Sequence, residues 1–222
     1  SLKENQINFQ HGLELYNKGQ FKEAMTYFQA LDHPSYEILK HYHLGLIYVN
    51  LGDFEQGIVH YRQIREIPAE IQGIEYDRLM YGLYINMGSA LQVLAKHKHK
   101  RLYEEAVECY KYALQLEKSD PRVWNNLGNV YLELQQYQKA IEAFLKAIDL
   151  DKEYPEAHYS ISLVYESMSN YTKAIEHLKE ALRWKSNNKT ILNRIAALSF
   201  GIGNFEGAQQ YIMTILNLDP TN

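Results

Sequence analysis

An aromatic residue followed three positions later by a small one marks six regularly placed points along this chain: Phe21/Ala24, Phe54/Gly57, Tyr103/Ala106, Tyr137/Ala140, Tyr171/Ala174 and Phe205/Ala208. The small members are spaced 33 residues apart in the first interval, 49 in the second and 34 in each of the last three. A constant period of this length restricts a chain to an array of like units, because each unit buries the same face against the same kind of neighbour. Twelve positions ahead of most of these small residues stands another, at Gly12, Gly45, Gly128, Ser162 and Ala196, with Gly88 eighteen ahead of Ala106. Each unit therefore carries two small slots.

Around the first slot, apolar residues return at helical spacing, as in Trp124, Leu127 and Tyr131 about Gly128 or Tyr84, Met87 and Leu91 about Gly88. The second slot repeats the pattern in Tyr137, Ala140, Phe144 and Ala147. Two helices joined by a short turn is the unit these spacings predict, and the chain is expected to be all-α. A glycine or alanine lets two helix backbones approach, and a ring from the partner helix fills the adjoining hole. Composition agrees: 19 Tyr supply rings to pack, while only 5 Pro and 12 Gly interrupt helices. A lone hairpin leaves one apolar face wet, so the units are expected to stack.

The stretch PRVWNNLGNVYLELQQYQKAIEAFLKAIDLD, residues 121–151, resembles a tetratricopeptide repeat. It carries Trp124, Leu127, Gly128, Tyr131, Ala140, Phe144 and Ala147 at that family's spacing. Five further units fit more loosely, His11 standing in the first where a leucine is usual, and the last closes on LDP, residues 218–220, where the family has its proline. The resemblance implies a right-handed superhelical solenoid of antiparallel helix pairs forming one domain over 1–222. Its repeats are expected at about 5–37, 38–70, 71–120, 121–154, 155–188 and 189–222. It also implies that the first helix of each unit lines a concave side.

Helical spacing gives those first helices a second stripe, three before, one after and four after the small slot. It reads Phe9, Leu13, Tyr16; Tyr42, Leu46, Val49; Ile85, Ser89, Gln92; Asn125, Asn129, Leu132; Tyr159, Leu163, Glu166; and Asn193, Ala197, Phe200, with Asn86 and Asn126 one position round. Rings grip apolar side chains and amides pair with exposed peptide N–H and C=O groups, so the stripe suits an extended peptide of a partner protein. Taken singly, the asparagines read as solvated surface, and the apolar stripe of the first two units could equally be covered by another segment of a longer protein. One subfamily of these repeats binds C-terminal carboxylates through two Lys, two Asn and one Arg. Units four to six match it at Asn129 and Arg194 but carry Asn125, Ser160 and Thr190 elsewhere, so the charge-assisted lysine contacts are lacking.

The run KHKHKR, residues 96–101, falls in the excess of the long interval, where the third unit's first helix is expected to be extended at both ends. Lysines there oppose the negative helix end, and Glu104, Glu105 and Glu108 suit the positive start of the next helix, as in a solvated connector. A docking ridge for an acidic partner is a second reading. The acidic flanks and lack of interleaved rings argue against nucleic acid. A metal is disfavoured because His97 and His99, like His41 and His43, diverge at spacing two on a helix.

No cofactor is expected, and no HExxH motif, nucleophile elbow or phosphate loop after a strand points to catalysis. GIGNFEG, residues 201–207, falls on a repeat turn rather than after a strand. The lone Cys109 has no evident activating base. No apolar run is long enough to cross a bilayer and the start has no signal-like segment, so a cytoplasmic protein is expected. The chain opens without Met, as a fragment or processed chain would. With Ile212, Ile215 and Leu216 in the last hairpin and only DPTN to follow, self-association or a covering continuation is also expected.

Overall fold

The computed structural model describes residues 1–67 and 76–218. Among these, twelve α-helices and one 3₁₀ turn, Pro34–Tyr36, form in chain order, and no strand occurs. The chain divides into two compact units, Ser1–Lys118 and Ser119–Asn222.

The first unit contains α1 (Leu2–Asn17), α2 (Phe21–Gln29), α3 (Glu37–Asn50), α4 (Phe54–Arg65), α5 (Tyr76–His97) and α6 (Arg101–Leu116). They pack as the hairpins α1/α2, α3/α4 and α5/α6, and successive hairpins touch through α2 with α3 and α4 with α5. The second unit repeats this with α7 (Pro121–Glu133), α8 (Tyr137–Leu150), α9 (Pro155–Ser167), α10 (Tyr171–Trp184), α11 (Lys189–Gly201) and α12 (Phe205–Leu218). Here α7/α8, α9/α10 and α11/α12 are the hairpins, joined through α8 with α9 and α10 with α11. The period seen in the sequence is therefore the period of helix pairs. The start of the third repeat at residue 71 and the closing proline, Pro220, lie outside the described residues.

The small slots work as the spacing predicts. A Cβ built on Gly12 would meet the Phe28 ring at 2.9 Å, one on Gly88 the Tyr110 ring at 2.8 Å, and one on Gly128 the Phe144 ring at 2.6 Å; Gly45 faces Tyr61 in the same way. All four rings are fully buried. In the last two hairpins the slot is Ser162 or Ala196, and the residue at the ring's position, sixteen further on, is Leu178 or Ile212. A larger slot is thus matched by a slimmer knob.

Five of the six hairpins close with one turn. The third residue past the helix reaches back to a carbonyl five positions earlier, as Gln20 to Leu15, Asp53 to Tyr48, Gln136 to Tyr131, Asn170 to Tyr165 and Asn204 to Ser199. This closure needs one left-handed residue. Gly19, Gly52 and Gly203 supply it at three turns, whereas Gln135 (φ 59°) and Ser169 (φ 58°) supply it at the other two. The sixth hairpin, α5/α6, lacks this closure, and α5, at 22 residues, is extended at both ends relative to α7 or α9, at 13 each.

Asn5 supplies a junction that the repeat pattern does not show. It is buried on α1; its Nδ2 donates to the Ser1 carbonyl (2.8 Å) and to Asp32 Oδ1 (2.7 Å), and its Oδ1 accepts from the backbone N–H groups of Asp32 (2.8 Å) and His33 (3.1 Å). One amide thereby ties α1 to the connection between α2 and α3.

Candidate functional site

In the first unit, Phe9, Leu13 and Tyr16 are half-buried and pack against the cluster of Ala24, Phe28, Leu31, Leu44 and Ile47. Phe9 meets Phe28 edge-on at 5.9 Å and His43 at 5.3 Å; Tyr16 meets Phe21 at 5.4 Å. These rings serve the junction of α1, α2 and α3 as well as presenting an edge to solvent. Val49 is likewise engaged: its Cγ2 lies 2.7 Å from where a Cβ on Gly57 would stand, so it faces α4. Leu46 is half-buried on the same helix.

Tyr42 lies across α5. Its hydroxyl is 2.9 Å from where a Cβ on Gly82 would stand and receives a 3.5 Å contact from Asn86 Nδ2. Burial, then the neighbouring Tyr16 hydroxyl, raises the Tyr42 pKa. Ser89 and Gln92, placed on the outward stripe by spacing, are held by the Tyr110 hydroxyl, which contacts Ser89 Oγ at 3.2 Å and donates to Gln92 Oε1.

In the second unit, α7, α9 and α11 bring Asn125, Asn129, Tyr159, Ser160 and Thr190 to one hollow of about 460 Å³. Four of the five positions compared with the carboxylate-binding subfamily, Asn125, Asn129, Ser160 and Thr190, therefore meet in space. The fifth, Arg194, sits beside them, with its guanidinium 5.7 Å from the centre of the Tyr159 ring and paired with Glu166. Asn126 is half-buried next to Asn125, and Asn193 is exposed; neither lines the hollow.

Two polar atoms here lack partners among the described residues. Asn125 is only 8% exposed, and its Oδ1 is buried without a hydrogen bond; the Arg194 Nε is buried without an acceptor. Such orphans are rare in folded proteins because each costs part of its lost hydration. Of the two residues, Asn125 lines the hollow with Tyr159, and Arg194 stands beside it.

The rim adds a feature that sequence spacing missed. Lys185 Nζ, just after α10, pairs with Glu156 Oε1 in the first turn of α9 at 2.6 Å. The hydrogen bond from Lys185 is the largest cause holding the Glu156 carboxyl below the usual range. These residues are 29 apart and each alone resembles ordinary solvated charge, so no local signal joins them.

KHKHKR lies where the long interval placed it: Lys96 and His97 end α5, Arg101 begins α6, and all six residues are exposed. Lys98 pairs with Glu55 of α4, and nearby Arg62 grips Glu105 through two nitrogens, the shorter contact being 2.6 Å. Among the described residues no group of three or more His, Cys, Asp or Glu is arranged to hold a metal, and no helix is long and apolar enough to cross a membrane.

The family model described as the cytochrome c-type biogenesis protein H TPR domain matches residues 90–222, and a tetratricopeptide-repeat model matches residues 41–67. The first match covers more than half of the chain. The chain belongs to the tetratricopeptide-repeat family. Among curated proteins it is 28% identical over 131 residues to protein O-mannosyl-transferase Tmtc3 of Drosophila melanogaster, an alignment covering 58% of this chain and 14% of that protein. Among solved structures it is similar to MamA (TM-score 0.69, 22% identity, covering 82% of this chain and 91% of that one). It is also similar to Pseudomonas aeruginosa PilF (TM-score 0.66, 20% identity, covering 99% and 94%). At these identities the structural likenesses show the fold alone.

Proposed function

We propose that this chain is a non-catalytic, cytoplasmic interaction scaffold that docks an extended segment of a partner protein on its first-helix faces, with the hollow of the second unit as the principal seat. The observation that carries this is the unpartnered, buried Asn125 Oδ1 in a hollow shared with Asn129 and Tyr159. A peptide N–H satisfies that acceptor, and Tyr159 offers a flat apolar wall beside it. The family's reuse as a protein-binding framework supports the same reading.

Display of random peptides against the 222-residue chain tests it, followed by calorimetry of an enriched peptide against Asn129→Ala and Tyr159→Ala. Each variant is expected to bind about tenfold more weakly or worse while melting within a few degrees of the parent. A peptide bound equally well by parent and variants, or no enrichment at all, would count against the hollow.

A second reading, an assembly segment that pairs with another copy or another domain, is favoured by α12. Ile212 is 48% exposed, Met213 54% and Leu216 51%, while Ala208 is the buried residue of that helix. Contiguous apolar surface of this kind marks an interaction face. Light scattering is expected to show concentration-dependent mass that Ile212→Lys with Leu216→Lys abolishes; constant monomer mass in the parent would remove this reading.

A further inference from the structure

Each unit contains one pair of histidines meeting across a hairpin. Between α3 and α4, His41 Nδ1 lies 2.9 Å from His60 Nδ1; between α9 and α10, His158 Nδ1 lies 3.2 Å from His177 Nδ1. The two pairs occupy one place in the repeat, four before the first slot (Gly45, Ser162) and three after the second (Gly57, Ala174). In both, a tyrosine of the first helix stacks on the second histidine, Tyr48 on His60 at 5.3 Å and Tyr165 on His177 at 5.6 Å. Recurrence of three residues in two hairpins argues for a designed contact.

Two imidazole nitrogens this close either share a proton or flank a metal ion. The ring centres are 5.2 Å and 5.5 Å apart, exceeding the nitrogen separations by about two ring radii, so each Nδ1 points along the line of centres at the other. Metal ligands must instead converge at an angle on a common point. The in-line pair therefore holds one proton, one ring donating Nδ1–H and the other accepting.

Such a pair tolerates one Nδ1 proton and not two. With both rings charged, two N–H donors and two positive charges face each other inside a packed hairpin. Around the first pair, Glu37 contacts His41 Nε2 at 3.1 Å, Asp32 and Glu66 line the hollow beside His41, and Lys40 opposes charge on His60. Around the second pair, Glu176 and Glu180 favour charge on His177, Glu180 does so on His158, and Lys173 opposes it on His177.

The geometry points to a pair of acid-labile clasps: each hairpin, α3/α4 and α9/α10, is fastened by a histidine pair that shares one proton and is loosened when the second ring is protonated. This concerns the hairpins themselves and stands whether or not their first helices dock a partner. Burial, then the facing imidazole and Lys40, pushes His60 down to about 4, and burial is the first cause lowering His158 and His177. An unfolded histidine takes up a proton near pH ~6.5. The contribution of the α3/α4 clasp is therefore complete above about pH 6.5 and is lost as the pH falls from there toward about 4, and that of the α9/α10 clasp is lost in the same direction.

Urea unfolding of the whole chain at about pH 7.5 and about pH 5 tests this. Three proteins are compared: the parent, His60→Asn/His177→Asn, whose amides keep a hydrogen-bonding group without titrating, and His97→Asn/His99→Asn as a control for exposed histidines. Between the two pH values, parent and control are expected to lose about tenfold more folding equilibrium constant per clasp than His60→Asn/His177→Asn, allowing for partial solvent screening. Equal pH dependence in all three overturns the proposal. Should the double variant not fold, nitrogen NMR of the parent decides. One protonated and one bare Nδ1 per pair at about pH 7.5, with the second protonation of each pair displaced to lower pH than that of an exposed histidine, supports the clasp; four independent titrations near pH ~6.5 overturn it.

Discussion

The Phe144 ring fills the space a side chain on Gly128 would need, with Cε1 2.6 Å from the position of a Cβ there. The ring is fully buried, so it has nowhere to withdraw. Gly128→Ala is expected to destabilise the second unit by about 2 kcal/mol, since overpacking a closed core costs about 1–3 kcal/mol. Gly128→Ala/Phe144→Leu pairs a larger slot with a slimmer knob, as Ser162 and Leu178 do, and is expected to recover much of the loss. Denaturant unfolding of parent, both single variants and the double gives the coupling directly; additive effects would mean that slot and knob do not read each other.

Gln135 and Ser169 stand in the left-handed region, which glycine occupies at the corresponding turns, Gly19, Gly52 and Gly203. A side chain there is strained by its Cβ, and that strain outweighs the extra unfolded-state freedom glycine brings. Gln135→Gly and Ser169→Gly are each expected to stabilise by about 1 kcal/mol, and together to add. Thermal and urea midpoints check this; a fall in either would show that the turn gains more from the side chain than from relaxed backbone.

Much of this fold was legible because one packing rule is written repeatedly. The slots Gly12, Gly45, Gly88 and Gly128 and the extension of α5 follow from intervals between small and aromatic residues. What escaped the pattern is polar and long-range. Asn125, on the stripe that spacing marks, resembles a solvated amide until α9 packs beside α7, and Lys185 and Glu156 resemble surface charge until the α9/α10 hairpin closes. The pairs His41/His60 and His158/His177 lie 19 residues apart, a separation with no meaning within one helix. It becomes a contact only when the hairpin fixes which residues of the two helices face each other. Spacing along one helix tested His41 against His43 and so compared the wrong partners.

Asn5 is the polar residue on which the α1 junction turns, with all four of its hydrogen bonds made inside the first unit. Asn5→Ala removes the acceptor for the backbone N–H groups of Asp32 and His33, and losing such a partner costs about 1–3 kcal/mol. A loss of about 2 kcal/mol is expected, together with faster hydrogen exchange at those two amides. Asn5→Asp keeps the acceptor but sets a carboxylate against Asp32, whose own pKa is lowered chiefly by the Asn5 hydrogen bond. Its deficit is expected to be larger at neutral pH and to shrink as the pH falls through the carboxylate range, which urea midpoints measured across that range can follow.

The cations of residues 96–101 are exposed, and Lys98 is already paired with Glu55. Exposed pairs contribute about 0–1 kcal/mol because water and salt screen them and two long side chains must be ordered. Replacing Lys96, Lys98, Lys100 and Arg101 by Gln is therefore expected to leave stability within about 1 kcal/mol of the parent. A nucleic-acid contact predicts something else: affinity for a duplex oligonucleotide that falls steeply with salt and vanishes in the fourfold variant. Titration with a labelled duplex at low and physiological salt separates the two. The connector reading expects no salt-dependent binding that the substitutions remove, and it is overturned if such binding is present in the parent and absent in the variant.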